Sequence, residues 1–264
     1  MTPVAVVTGA SAGIGAELAR VFGRHGHALV LVARRQDRLK ALAAEIGTSG
    51  GMPPLVVPLD LAQRGAAAKL AEALAANGLE PQYIVNNAGF GLVGDAADRG
   101  RDDLVEMVDL NVRALTDLSL AFVDSLSRHR GGILNVGSVA GFLPGPGSAV
   151  YYASKAYVLS LGEALHYEMA RRGIRVTTLC PGPVHTEFHI RAGFTMQRMP
   201  LLDVPAARVA EQGYRGLMAG RRVVIPGFGN KLVSRLPRLI PRSLLLYLID
   251  RRQRARVPSS ASRT

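Results

Sequence analysis

Apolar residues fall into short dense runs separated by longer stretches in which they recur every three or four positions. The runs at 4–7, 28–32, 55–57, 83–85, 132–136, 175–179 and 223–225 are rich in Val, Ile and Leu and predict strands; the stretches between them have the period of amphipathic helices. This alternation predicts an α/β fold, a doubly wound Rossmann-type sheet of seven mostly parallel strands with helices on both faces. Several runs are apolar at consecutive positions, as expected of strands covered from both sides. The Gly/Pro-rich pieces 47–54 and 144–147 are short enough to be loops, so residues 1–230 read as one domain. Beyond it, Pro237 and Pro241 interrupt basic and apolar residues, a helix-like stretch starts at Ser243, and a polar end follows at 258–264. Residues 231–264 read as a basic amphipathic C-terminal extension, helical in part.

With 48% hydrophobic and 20% charged residues, the chain has the apolar content for an extensive core, which excludes wholesale disorder. No apolar run approaches the ~18 residues of a membrane-spanning helix, and the start has no basic segment of a signal peptide; a soluble, cytoplasmic protein is expected. A single cysteine, Cys180, excludes an intrachain disulfide and reads as a small apolar residue at a strand end. His185 and His189 stand four apart with no third ligand in view, so no metal site is expected. The net charge of +12 suggests a nucleic-acid partner until its distribution is considered. Nine basic residues against one acid, Asp250, lie from Lys231 onward, which leaves only four net positive charges to the first 230 residues. No aromatic and basic residues interleave on a strand, so nucleic acid is not an expected partner.

The first strand runs into Thr8-Gly9-Ala10-Ser11-Ala12-Gly13-Ile14-Gly15 and then a helical pattern. Glycines here allow a tight turn and bring backbone N–H groups up to a pyrophosphate at the positive end of the helix dipole. Gly9, Ser11, Gly13, Ile14 and Gly15 are therefore candidate dinucleotide contacts, although packing of helix on strand also calls for glycine. The second strand ends in Ala33-Arg34-Arg35, where an acid would grip the ribose 2′-hydroxyl of NAD. Without that acid, Arg34 and Arg35 can hold a 2′-phosphate, which points to NADP(H); two solvated arginines at a strand end are the competing reading. Asp60, with Leu61 after the third strand, suits the adenine amino group and equally an N-cap. Asn87, Ala88 and Gly89 end the fourth strand, where small residues leave room for a flat cofactor.

Ser138 follows the fifth strand, and Tyr151 and Lys155 stand four apart on one helical face. A tyrosine ionises near pH ~10, too high for a base at neutral pH; a neighbouring ammonium and the positive nicotinamide of the oxidised cofactor are expected to lower it, so that Tyr151 exchanges a proton with a carbonyl or alcohol oxygen while Ser138 hydrogen-bonds the same atom. Tyr152 and Tyr157 have no lysine four residues on, and Ser154 falls on another face; these three read as bystanders.

Thr8–Gly15, Asp60, 86–89, Asn111, Ser138, Tyr151, Lys155 and the run Pro181-Gly182-Pro183-Val184-His185-Thr186 together resemble the short-chain dehydrogenases/reductases, over nearly the whole chain to about Pro226. The resemblance implies an enzyme acting on CH–OH or C=O groups. It implies that Asn111 holds a water in a proton relay to Lys155, that Lys155 binds the nicotinamide ribose, that Pro181, Gly182 and Val184 contact the cofactor, and that Thr186 contacts its carboxamide. An arginine after the second strand resembles the NADP-preferring type, although no basic residue stands at Ser11 or Ala12 as in some such members. Homodimers or homotetramers through the helices around 103–128 and 151–171 are also implied. Two other functions stay open: an NAD-preferring alcohol dehydrogenase, and a non-catalytic NADP-binding regulator, which the presence of both Tyr151 and Lys155 disfavours.

Substrate selection is expected in the loops 90–94, 141–149 and above all 184–203, where Phe188, Ile190, Phe194, Met196, Met199 and Leu201 make either an apolar lid or an ordinary packed helix. The small-molecule carbonyl or alcohol substrate is therefore expected to be largely apolar. The extension suits three roles: contact with an anionic membrane surface, a cover over the cleft, or a subunit contact.

Overall fold

Residues 1–48, 52–187, 199–238 and 240–254 are described by the computed structural model. The strands are β1 Thr2–Thr8, β2 Ala28–Ala33, β3 Leu55–Pro58, β4 Leu79–Asn86, β5 Gly132–Val136, β6 Arg175–Leu179 and β7 Val223–Val224. They form one sheet in the order β3-β2-β1-β4-β5-β6-β7, and every pairing among the described residues is parallel. The strand order reverses between β1 and β4, and in sheets of this kind ligands bind outside the carboxyl ends at that point.

Covering both faces explains the uninterrupted apolar runs. Ala5 and Val7 of β1, with Leu29 and Leu31 of β2, face helices α1 (Gly13–Arg24), α2 (Gln36–Thr48) and α8 (Ala206–Met218) through Leu18, Phe22, Leu39 and Leu217. Their neighbours Val4, Val6, Val30 and Val32 face α3 (Ala66–Ala76), α5 (Leu115–Ala121), α6 (Val123–Arg128) and α7 (Ala149–Ala170) through Leu70, Leu118, Leu126 and Leu165. The period of two in a strand splits one run between two cores.

β4 is longer than its apolar run because Pro81 lies inside it. The register slips there, Val4 facing Pro81 and Ala5 facing Tyr83, so that Gln82 is the extra residue of a bulge next to a proline that has no N–H to donate. Helix α4 (Arg101–Val108) joins α5 through a π-helical turn, Asp109–Ala114, a widening often found at functional sites. In the extension, α9 (Phe228–Arg235) precedes the helix expected from Ser243, which forms as α10 (Arg242–Arg254). Of the expected selection segment, Phe188 to Arg198 lie outside the described residues, as do Ser49 to Gly51, Leu239 and residues 255–264.

Candidate active site

A cleft of about 650 Å³ opens at the carboxyl ends of the strands. At one end is the glycine turn. Gly9 has a φ of 64°, and a Cβ on it would stand 2.7 Å from Asn87 Nδ2; one on Gly15 would stand 2.3 Å from that atom and from the Gly9 carbonyl oxygen. Only glycine fits at either place, so the pattern serves packing and cradle together. Asn87 Nδ2 donates to the carbonyls of Thr8 at 2.9 Å and Gly9 at 3.2 Å, while Thr8 Oγ1 accepts from the Asn87 and Ala88 amides. Thr8, to which no role was expected, thus locks the end of β4 to the end of β1. Helix α1 starts with no side-chain cap and no acid in its first turn, so its positive end is open to an anion.

Arg34 and Arg35 lie in the cleft wall with Ser11 and Asp60. Arg35 Nε and Nη2 approach Ser11 Oγ at 3.3 and 3.1 Å; the guanidinium missing from the turn itself reaches it from just beyond β2. Arg34 Nη1 is 3.5 Å from Glu106 and 3.9 Å from Asp60. Asp60 Oδ1 accepts from the Ala62 amide at 3.0 Å, closing a local turn; it does not cap the next helix, α3, whose N-cap is Gly65. Leu61, itself largely buried, also lines the cleft.

The other end of the cleft brings Ser138, Tyr151 and Lys155 together. Ser138 follows β5 and its Oγ accepts from the Ala140 amide at 3.1 Å, capping a short turn and fixing the hydroxyl. Lys155 is buried, and its Nζ donates to the Val136 carbonyl at 2.9 Å and stands 5.9 Å from the centroid of the Tyr151 ring. Burial pushes the Tyr151 phenol up to about 12, against the pull of its hydrogen bond with Ser138. Burial pushes Lys155 down to about 8. Burial thus moves Tyr151 in the direction opposite to the lowering expected of its charged neighbours.

Asn111 sits in the π turn, buried, with Nδ2 donating to the Phe90 carbonyl at 2.8 Å and Oδ1 accepting from the Phe90 amide at 3.1 Å. A Cβ on Gly89 would stand 2.7 Å from Asn111 Oδ1 and 3.8 Å from Lys155 Nζ, so Gly89 is the spacer between the two. Ser154 is no bystander: its Oγ accepts from Asn111 Nδ2 and donates to the Tyr151 carbonyl. Its face of α7 looked unconnected because the partner is 43 residues away in sequence.

Pro181, Gly182, Val184 and Thr186 border the cleft. Asn230 of α9, another residue without an expected role, holds this side in place. Its Nδ2 donates to the carbonyls of Leu202 at 2.9 Å and Pro226 at 2.8 Å, and Gly182 lies so close that a Cβ would be 2.1 Å from Asn230 Oδ1. His185 Nε2 and the Met199 amide both meet Asp203 Oδ2, at 3.0 and 2.8 Å, joining the two ends of the 184–203 segment. Val233 and Ile249 of the extension stand in the wall beside Met199 and Leu202. No group of His, Cys, Asp and Glu among the described residues could hold a metal ion, and no helix among them is long and apolar enough to cross a membrane.

Residues 3–194 match the family described as short chain dehydrogenase. The sulfoacetaldehyde reductase of Chromohalobacter salexigens is 37% identical over 191 residues, 71% of this chain and 75% of the relative. An NADP-dependent 3-hydroxy acid dehydrogenase of Salmonella typhi is 36% identical over 188 residues, 70% of this chain and 74% of the relative. A short-chain dehydrogenase from Sphingobium yanoikuyae, solved in complex with NADPH, superposes with a TM-score of 0.79 at 30% identity, covering 99% of this chain and 98% of that one. The chain belongs to the short-chain dehydrogenase/reductase family.

Proposed function

We propose that this chain is an NADP(H)-dependent oxidoreductase that moves a hydride between the nicotinamide and the carbonyl or secondary alcohol carbon of a largely apolar small molecule, with Tyr151 as general acid and base. The observation that carries the reading is that one cleft holds the glycine turn, two arginines and the trio Ser138, Tyr151 and Lys155. NADP(H) fits these residues: the turn leaves no room for a Cβ at Gly9 or Gly15, helix α1 presents an uncapped positive end, and guanidinium groups wait where a 2′-phosphate needs them. When bound, the cofactor supplies hydride chemistry at its nicotinamide; Lys155, Gly182, Val184 and Thr186 are placed to hold that end, and Ser11, Arg34 and Arg35 the other.

At neutral pH Tyr151 is a phenol, the form that gives a proton to a carbonyl oxygen as an alcohol forms. Ser138, pinned by the Ala140 amide, holds the same oxygen. Once the proton has left, the buried Lys155 ammonium attracts the phenolate strongly, since little water intervenes. Oxidation runs the same steps backward. Asn111, its amide fixed by two hydrogen bonds to Phe90, would hold a water in a proton relay to Lys155. Leu92, Val93, Leu143, Leu202, Val233 and Ile249 give the substrate end of the cleft an apolar wall, which favours hydrocarbon over charge next to the carbonyl.

Consumption of NADPH by the purified protein with a panel of bulky and small ketones, aldehydes and charged carbonyl acids tests the proposal. Turnover of the apolar ketones with NADPH, lost in Tyr151→Phe, is the expected result; no turnover of any carbonyl compound defeats it.

The division at residue 230 is retained with one change: the extension contributes Val233 and Ile249 to the catalytic domain's cleft. A homo-oligomer is proposed through α4, α5 and α7, whose Val105, Val108, Leu120, Tyr157 and Tyr167 are exposed. A peripheral contact with anionic membrane is proposed for the outer face of α10, where Leu244, Tyr247 and Leu248 are exposed between Arg242 and Arg251. The site proposed for the work is the cytoplasm, where the one buried thiol, Cys180, stays reduced.

A further inference from the structure

Thr186 and Glu187 both line the cofactor cleft. The Thr186 side chain packs on the glycine turn, where a Cβ on Gly13 would stand 3.1 Å from its Cβ and Cγ2. One residue further, Glu187 Oε2 accepts from Arg35 Nη1 at 2.7 Å, and Oε1 lies 3.7 Å from Arg38 Nη2. Arg35 therefore has its Nε/Nη2 edge on Ser11 and its third nitrogen on Glu187. Glu187, Ser11, Arg34 and Arg35 all line the cleft. The hydrogen bond from Arg35 holds the Glu187 carboxyl below the usual carboxylate range, so an anion already occupies the arginine that faces the turn.

We propose that Glu187 is a cofactor-specificity residue, whose carboxylate competes with the adenosine 2′-phosphate of NADP(H) for the Arg35 guanidinium and so limits the preference over NAD(H). The proposal rests on the reading of Arg34 and Arg35 as the phosphate site. Both partners of the pair are about half exposed, at 48% and 45%, and such pairs are weak; a dianion displaces the carboxylate readily. The displaced carboxylate stays tethered next to the phosphate by Thr186. Its repulsion then acts on the phosphate and spares the neutral 2′-hydroxyl of NAD(H), making Glu187 a selective opponent of the phosphate-bearing cofactor.

Equilibrium titration of the full chain with NADPH and with NADH, at low and high salt, tests this in wild type, Glu187→Gln and Glu187→Ala. Both variants should bind NADPH about fivefold tighter than wild type, with NADH affinity within about twofold and the gain shrinking as salt rises. In an Arg35→Ala background the gain from the Glu187 substitutions should shrink to about twofold or less, since only the repulsion remains once the shared guanidinium is gone. Equal or weaker NADPH binding by both Glu187 variants overturns the proposal and makes Glu187 a residue that orients Arg35. Wild-type NADPH affinity in both Arg34→Ala and Arg35→Ala removes the phosphate site itself and the proposal with it, and the arginine variants alone reveal that outcome.

Discussion

Asn111 Nδ2 donates to Ser154 Oγ at 3.1 Å, and that hydroxyl donates in turn to the Tyr151 carbonyl at 2.7 Å. The π turn is thereby tied to the helix that carries Tyr151 and Lys155. Ser154→Ala removes both bonds but leaves Asn111 its two bonds to Phe90. A loss of about 1 kcal/mol in urea unfolding is expected, with kcat falling more than cofactor affinity. An unchanged unfolding midpoint would show that the link contributes nothing.

Tyr151→Phe keeps the ring and removes the transferable proton. Turnover should fall by about 10²-fold or more while NADPH binding stays near wild type. Steady-state rates with a soluble ketone, beside a NADPH titration, check both halves; a variant that keeps about a tenth of the rate excludes Tyr151 as the general acid.

Lys155 makes stability depend on pH. Its pKa is depressed to about 8 by burial, below its unfolded value, so between those two values the unfolded chain binds more protons and stability rises with pH. The gain from pH 7 to 9.5 should be about 2 kcal/mol relative to Lys155→Met, measured by denaturant unfolding at both pH values. Tyr151 acts oppositely but higher, because its raised pKa makes stability fall only above its unfolded value of ~10. A difference between the two proteins that does not change with pH would refute the buried ammonium.

Cofactor choice should follow the end of β2. Wild type is expected to favour NADPH over NADH by about tenfold or more in kcat/KM, and Ala33→Asp with Arg34→Ala to reverse the order, since an acid there holds the 2′-hydroxyl and repels the phosphate. Equal efficiencies in the wild type would defeat this prediction.

The extension divides at Ile249. Removing residues 251–264 leaves that side chain in the cleft wall, so turnover of a small soluble ketone with NADPH should survive. Removing 242–264 takes Ile249 and the buried Leu245 away and should raise KM for a bulky apolar ketone about fivefold. Sedimentation with anionic vesicles tests the outer face of α10: binding at low salt that weakens with added salt, and in the shorter protein, is expected. No sedimentation at low salt would leave the helix a cleft wall alone.

The alternation of apolar runs and amphipathic stretches was enough to determine the doubly wound sheet, because strands buried on both faces must be apolar throughout and their crossovers must be helices. The glycine turn, the arginines after β2 and the pair Tyr151 and Lys155 were legible for a similar reason: each is a local pattern whose spacing is its geometry. What tertiary structure alone decided joins residues far apart in the chain. Ser154 meets Asn111, Glu187 meets Arg35, Asn230 packs on Gly182, and Val233 and Ile249 close the cleft wall. None of these has a spacing to read, since the contact is made by the packing of separate elements. The proton affinities of Tyr151 and Lys155 belong with them: four residues of helix set the distance between the two, but the depth of burial, which no local pattern records, decides which way each pKa moves.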